Sequence, residues 1–552
     1  MQLSRNDIRQ LVGGVKPTIV DRVVERFSPQ RGVARRRARV TLALLGSGSA
    51  YTGARRNRRQ TSSWPTTSGS ADADLIADLP LLRERSRDLV RNTPLASGAI
   101  NTAVTSVVGT GLRLQAQIDR EILRISPEQA AVWQTRTERE FRLWAGSVDC
   151  DATRRQTFAG LQDLAFRSSL ENGDVFALLP YSDGRGPYRL VVQLIEGDRV
   201  SSPLGFEGRL LDGGGRVIAG IEMDALGAPV ACHVLQTHPG ETRAQAKKWD
   251  RVPVYGAESR RRNVIHLYRQ LRVGQSRGVP YLAPVIEAFK QLGDYSEAEL
   301  TAAVVSSLFT VFVTSDAGEG IDPTLGIGDE TGAKASDKDV RLGSGAMVDL
   351  APGEKTEFAN PTRPNTSFDG FVMAVLRQIG TALEIPFEVL IKHFTASYSA
   401  SRAALLEAWR HFRIRRRWLA DGFCQPVYEA WLEDAIGLGR VSAPGFFDDA
   451  AVRAAWLGAR WGGDGPGQLD PKKEIEATQA RLDANLTTLA QEKADYDGGD
   501  WEATLEQAGR ERDMRRRFGL LDVAPVRGAG AVVNPAPPDD GGDDSGDIEE
   551  GD

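Results

Sequence analysis

Residues 399–432, SASRAALLEAWRHFRIRRRWLADGFCQPVYEAWL, open on small polar residues and then set six arginines within sixteen positions of one helical pattern. Leu405, Trp409, Phe412, Leu419, Phe423, Val427 and Trp431 hold an apolar stripe at helical spacing over about seven turns. Ser399 and Ser401 read as the cap of this helix. Gln425-Pro426 should kink it rather than end it. A charge run taken alone is usually a solvated face, so the flanking sequence has to decide what the arginines are for.

Immediately before it, IPFEVLIKHFTASYSA (385–400) reads as a loop, and SFDGFVMAVLRQIGTALEI (367–385) as a helix. Further upstream, a helix is expected from Pro280 through YLAPVIEAFKQLGDYSEAELTAAVVSSLF, with Leu282, Ile286, Phe289, Leu300, Val304 and Leu308 on its apolar side. Between the two helices lies a Gly/Asp-rich stretch holding short strands such as FTVFVTS, AMVDL and TEFAN. From 174 to 270 the hydrophobic period changes to two. DVFALLPY, YRLVVQLI, RVIAGIEMD, PVACHVLQ and NVIHLYR read there as strands of an antiparallel unit.

Earlier still, LPLLRERSRDLVRNTPLASGAINTAVTSVVGTG predicts two helices divided by Pro94, the second stopped by Gly109 and Gly111. LRLQAQI alternates like a strand. SPEQAAVWQTRTEREFRLWAG predicts a helix capped by Ser126, with Glu128 in its first turn and Val132, Phe141 and Trp144 on one face. Residues 437–520 read as helical, with Trp456, Trp461 and Trp501. The segment 27–80 reads as a mostly extended arm, and the chain from about 523 as disordered.

The 552 residues are too many for one core, and 41% hydrophobic with 26% charged residues are globular values. No run of 18 apolar residues would span a bilayer. MQLSRNDIRQLVGG has no apolar h-region and does not read as a secretory signal. Three distant cysteines, Cys150, Cys232 and Cys424, suit a reducing compartment. A net charge of −5 argues against a surface that grips nucleic acid everywhere. Charge is nevertheless uneven: residues 1–60 carry 14 Lys/Arg against Asp7, Asp21 and Glu25, whereas PPDDGGDDSGDIEEGD (537–552) holds eight acids and no base.

Motifs for chemistry are sparse. His233, His238, His266, His393 and His411 show no metal-ligand spacing. No phosphate-binding GxxxxGK[ST] or strand–GxGxxG–helix is present, and the serines of TASYSAS lack an SxxK or GxSxG context. No catalytic residue, cofactor or metal is therefore expected.

Five ordered blocks together resemble lambda-type (lambdoid) bacteriophage portal proteins. They are LRERSRDLVRNTPLASGAINTAVTSVVGTGLRLQ, RNVIHLYRQLRVGQSRGVPYLAPVI, LAPGEKTEFANPTRPNTSFDGFV, IPFEVLIKHFTASYSASRAALLEAWRHFRIRR and LDPKKEIEATQARLDANLTTLAQEKADYDGGDWEATLEQAGRERD. The resemblance covers roughly residues 50–520 and implies an α+β, elongated subunit in a ring of about twelve copies at one capsid vertex. It implies a basic arm at 1–80, a helical and β-rich wing at 81–279, a stem helix at 280–308 and a small α/β clip at 309–364. A second stem helix follows at 365–384, then a tunnel loop at 385–400 and a long wing helix at 401–436. An outer wing and crown at 437–520 and an acidic tail at 521–552 complete the division.

Several site residues follow from that division. Lys392, His393, Thr395, Ser397 and Tyr398 of the loop would face double-stranded DNA in the channel. Arg402, Arg410, Arg413, Arg416 and Arg417, with Arg415 among them, would reach carboxylates on neighbouring subunits while the aromatics face the core. Lys334, Lys338, Asp339 and Arg341 would lie on the clip, which binds the terminase large subunit and a head–tail adaptor. Major capsid and scaffold proteins complete the implied partners; no membrane is involved. Virion and, during assembly, host cytoplasm are the implied locations. Three other readings stay open: a hydrolase on Ser397 or Ser399, a nucleic-acid-binding module using the basic runs at 31–39 and 55–59, and another ring-forming head connector.

Overall fold

The computed structural model describes residues 63–64, 66, 68–241, 247–307, 311–315, 354–358, 368–394, 397–466 and 471–520. The chain divides into two units, Met1–Ser70 and Ala71–Asp552, and every element below belongs to the second. It opens with three helices: α1 (Ala71–Leu75), α2 (Leu79–Asn92) and α3 (Pro94–Val107). Ala71 and Leu75 are buried on α1, so the last part of the stretch expected to be extended is helical. Pro94 separates α2 from α3 as expected, since proline is tolerated in a first helical turn and not in an interior. Gly109 and Gly111 then take φ values of +57° and +103° and turn the chain away.

Strand β1 (Arg113–Ala116) follows, then α4 (Arg120–Leu123) and α5 (Pro127–Ala145). Ser126 and Gln129 form a reciprocal capping box at the start of α5. Its buried face runs through Ala130, Thr137, Phe141 and Trp144. Val132 was expected on that face and is 71% exposed. Five residues separate it from Thr137, which turns it about 140° away from the buried line.

Helix α6 (Phe158–Asn172), not singled out in the sequence, leads into the antiparallel β-rich unit. Strands β2 (Asp174–Leu178), β3 (Gln193–Glu196) and β8 (Val264–Tyr268) form one sheet in the order β3-β2-β8. Strands β4 (Arg216–Ile218), β5 (Ile221–Met223), β6 (Pro229–Leu235) and β7 (Trp249–Pro253) form a second, in sequence order. RVIAGIEMD is thus two strands and not one. Ala219 (φ +47°) and Gly220 (φ +84°) make the turn, and a side chain at Gly220 would strike the Ser201 backbone.

Helix α7 (Ile286–Ser307) and helix α8 (Phe368–Ala382) flank the hairpin of β9 (Val311–Ser315) and β10 (Glu354–Phe358), paired antiparallel. Tyr295 packs its ring on Phe368 at 5.3 Å and on Phe371 at 5.0 Å. Leu282 and Phe289 are buried as expected. About three to four turns further along the same side, Leu300 is 66% exposed and Val304 more than half exposed.

The segment after α8 is more structured than a loop. Pro386 opens the short helix α9 (Phe387–Leu390), and Ile385, Val389 and Leu390 are buried. Ser397 then caps α10 (Tyr398–Leu419) by accepting from the Ala400 amide, so the cap lies two residues before the expected Ser399. A single π-type turn, Ala420–Cys424, joins α10 to α11 (Gln425–Gly437), and the helix runs through Pro426 without a break. The C-terminal elements are α12 (Ala450–Trp456), β11 (Ala459–Gly462), α13 (Pro471–Asp483), α14 (Leu489–Asp497) and α15 (Trp501–Arg517). Trp461 lies on β11, which pairs antiparallel with β1 some 350 residues earlier, and not on a helix.

The main core gathers around α11. Phe141 of α5 sits edge-on to Tyr428 (5.7 Å) and Trp431 (5.0 Å), and Phe158 stacks on Phe423 at 5.9 Å. A second, smaller core lies between the two sheets of the β-rich unit, around Phe176, Ile195, Ile221 and Val234.

Candidate functional site

Two anchors hold the stretch between α8 and α10. The first is α9, whose buried side chains face α8, α10 and α3. The second is polar: Glu384, in a left-handed conformation (φ +55°), accepts from His411 Nδ1 of α10 at 2.8 Å. Arg269 lies 3.9 Å from the other Glu384 oxygen, and the Tyr281 hydroxyl donates to the Leu383 carbonyl. Burial would raise the Glu384 carboxyl, but the His411, Arg269 and Arg415 side chains bring it below its ordinary range. Burial lowers His411, and Arg415 and Arg269 add to that effect against the pull of Glu384.

Beyond these anchors, Lys392 also has a left-handed backbone (φ +55°), and Lys392, His393 and Phe394 are exposed. Ser397 is exposed and engaged as the cap, and Tyr398 opens the helix. Thr395 lies outside the described residues, as do Lys334, Lys338, Asp339 and Arg341, the clip segment 316–353 and the acidic tail.

The arginines of α10 separate into three kinds. Arg416 donates from Nε to the Val107 carbonyl and from Nη2 to the Ser106 carbonyl, both at 3.0 Å, closing the C-terminus of α3 in its own chain. It also lies over the Trp409 ring, so its donors point at that helix end and not at a neighbour. Arg415 is buried with its guanidinium 5.3 Å from the Tyr281 ring centre. Arg410 and Arg417 are exposed and, among the described residues, each makes a one-turn pair, with Glu407 (3.0 Å) and Asp421 (3.4 Å). Arg413 is exposed and Arg402 partly so. Beside Arg413 and Arg417, Ile414 is 64% exposed against Trp418 in a shallow concavity.

A buried charge network went unseen in the sequence. Asp174, fully buried at the start of β2, pairs with Arg83 of α2 at 2.6 Å and with Arg277 at 2.6 Å, and lies 3.3 Å from His266 Nε2. Arg277 also donates to the carbonyls of Gly197, Val200 and Ala219. Burial alone would raise the Asp174 carboxyl; the two guanidinium groups and His266 hold it well below the usual range. Gly197 must lack a side chain, since a Cβ there would strike the Asp174 carboxylate. The network ties α2 to both sheets, and its partners are 91 and 103 residues apart, so no local pattern announces it.

Among the described residues no cluster of three or more His, Cys, Asp or Glu side chains could hold a metal ion. No described helix is long and apolar enough to cross a membrane.

The family description "Phage portal protein, lambda family" matches residues 57–416. The chain is 27% identical to portal protein B of Escherichia phage lambda over 501 residues, 87% of this chain and 91% of that one. It is 27% identical to the portal protein of Escherichia phage N15, with 83% and 88% covered. It is 24% identical to a probable portal protein of Halomonas phage phiHAP-1, with 84% and 86% covered. Among solved structures, a chain of the virion of a native gene transfer agent particle superposes with a TM-score of 0.39 at 13% identity, covering 75% of this chain and 92% of that one. That superposition is loose.

The chain belongs to the lambda family of phage portal proteins. It is a phage portal protein, a structural component of the virion, and its α+β architecture agrees with the sequence reading.

Proposed function

We propose that this portal protein works as a homo-oligomeric ring, of about twelve copies, through which double-stranded DNA enters and leaves the capsid. The observation that carries the ring is a set of large apolar side chains open to solvent in the single chain. Leu300 is 66% exposed and Phe371 50% exposed at the hairpin end of α7 and α8, and Ile414 stands open on α10. Three such positions on long helices are surface that a neighbouring copy would cover. Arg410 and Arg417, beside Ile414, supply cations for carboxylates of that neighbour.

In this reading α7 and α8 form the stem, the hairpin and residues 309–364 form the clip that receives terminase and the head–tail adaptor, and residues 437–520 form the outer wing and crown. Lys392 and His393 face the channel, with Thr395, Ser397 and Tyr398 beside them. One exposed cation per subunit gives a belt of weak phosphate contacts that guides DNA without fixing its register. The ring acts as a conduit without catalysis, is built in the host cytoplasm and meets capsid and scaffold proteins there.

Mass photometry of the purified chain tests the reading. Rings of about twelve subunits are expected, and Leu300→Asp with Ile414→Asp should shift the mass to small species. A wild-type chain that stays monomeric at micromolar concentration in low and moderate salt would overturn it.

A further inference from the structure

Between the Arg402–Arg413 part of α10 and the C-terminal helices α13, α14 and α15 lies a groove of about 1020 Å³. Its walls carry Leu406, Ile475, Leu489, Tyr496 and Leu505, each more than half exposed, with Trp409 at the back. Neither α13 nor α15 has a single buried residue. An apolar trough of this size, with two of its four helices burying no residue of their own, calls for an occupant.

The charges around it say what kind. Most lining acids are already engaged: Asp464 with the Thr110 amide and hydroxyl, Glu492 with Arg481, Asp497 with Lys493, and Asp495 with Arg460. Arg402 and Arg413, on the α10 wall, make no ion pair or hydrogen bond with another described residue. Outside the ion pairs the lining holds two guanidinium groups, both on the α10 wall, and two carboxylates, Glu474 of α13 and Asp464, whose hydrogen bonds to neutral Thr110 groups leave its charge in place. The occupant should therefore be apolar where it enters and acidic where it meets α10.

We propose that the C-terminal segment of this same chain, residues 521–552, is that occupant. It begins one residue past Leu520, at the far end of α15, whose first turn (Trp501, Thr504, Leu505) lines the groove. The seventeen residues of α15 span about 25 Å, which about eight extended residues cover in return. The chain coming back thus delivers Ala531-Val532-Val533 to the apolar walls, with slack, and the eight acids of 539–552 follow. Arg402 and Arg413 stand eleven residues apart on α10, about 17 Å, a distance that five residues of the acidic stretch bridge. The docked tail covers the apolar groove and places carboxylates on both open guanidinium groups.

Disulfide trapping in the full-length assembled protein tests this. Cys150, Cys232 and Cys424 are buried and do not compete with introduced thiols. Leu406→Cys paired with Val532→Cys should form an intrachain disulfide at least tenfold faster than the control pair Leu204→Cys with Val532→Cys, whose first site is a distant exposed loop. Arg402→Glu with Arg413→Glu should slow trapping about fivefold, and so should half-molar salt, without lowering the melting temperature. Deleting residues 521–552 should raise binding of an apolar fluorescent dye, and Leu406→Asp in the deleted chain should remove that rise. Trapping no faster than the control overturns the proposal. So does a disulfide that forms only between chains, which assigns the groove to a second copy, or dye binding that rises on removal of residues 1–60 instead.

Discussion

The two halves of the long helix carry one continuous apolar stripe and fare differently. In α11, Val427, Tyr428, Trp431, Leu432 and Ala435 are all fully buried, and even Glu433 and Asp434 are enclosed. Asp434 accepts from the Arg189 and Leu190 amides (2.7 and 3.1 Å) and pairs with the Arg189 guanidinium. In α10 the stripe is buried at Ala408, Phe412 and Leu419, yet Leu406 and Ile414 stand open, and Arg410, Arg413 and Arg417 are exposed while Arg415 and Arg416 are engaged inside the fold. One half is core of the single chain. The other half is only partly covered by its own fold.

The strongest way to break that contrast is to truncate a large apolar side chain in each half. Trp431→Ala should cost about 3–5 kcal/mol in urea unfolding, whereas Ile414→Ala should stay within about 0.5 kcal/mol for the unassembled chain. Equal costs would mean that the open half is not open. Next in size, Asp174→Ala leaves Arg83 and Arg277 buried without their carboxylate and should cost about 3–5 kcal/mol, with the loss read as an early melting of the β-rich unit.

A smaller effect of opposite sign is expected at Glu138 of α5. Burial raises its carboxyl to about 7, although the Ala116 amide hydrogen bond pulls the other way and Asp500 and Glu502 add repulsion. The folded state holds a proton there that the unfolded state has lost, so this contribution is complete below pH 4.5 and fades as pH rises through about 7. Glu138→Gln should therefore stabilise the protein by about 1–2 kcal/mol at pH 8 and by nothing at pH 4.5.

The smallest predicted effect belongs to the anchor of the exposed loop. His411 is lowered from the ordinary 6.5, so the unfolded chain takes up protons first and stability falls as pH drops below 6.5. Glu384 is lowered as well, and its share is lost only further down, through the carboxylate range. A His411→Gln variant should flatten the stability curve between pH 6.5 and 5. A slope unchanged from wild type would place the acid sensitivity elsewhere. Lys392→Glu with His393→Ala should leave that curve and the oligomer intact and reduce DNA packaging.

What the sequence made legible was local. The Ser126 cap, Pro94, the glycines at 109 and 111 and the three- and four-residue steps of the α10–α11 stripe each rest on neighbours a turn or two away, and each could be read there. Val132 misled because a β-branched residue near a helical face looks buried until the face is fixed by its partners. Ala219-Gly220 hid a hairpin because one residue of the turn is an ordinary alanine forced to positive φ. Ile385, Val389 and Leu390 became core because α3, α8 and α10 converge on them, which spacing cannot reveal. The engagement of Arg416 with Ser106 and Val107 likewise depends on elements hundreds of residues apart.

The wide turn at Ala420–Cys424 has its own consequence. The stripe Leu419, Phe423, Val427, Trp431 advances by fours, and on a regular helix each step of four overshoots one face by about 40°. A turn closed between residues five apart, the Gln425 amide reaching the Ala420 carbonyl, takes up part of that overshoot. It also falls where Pro426 has no amide to give to the Gly422 carbonyl, and where Gly422 admits Leu267 closely. The bulge is thus a vernier: it lets one extra residue sit in the helix while Trp409 and Trp431, six turns apart, still address the same core. Deleting one residue between 420 and 424 would restore a regular helix and rotate every arginine of α10 by about 100° relative to the packed half.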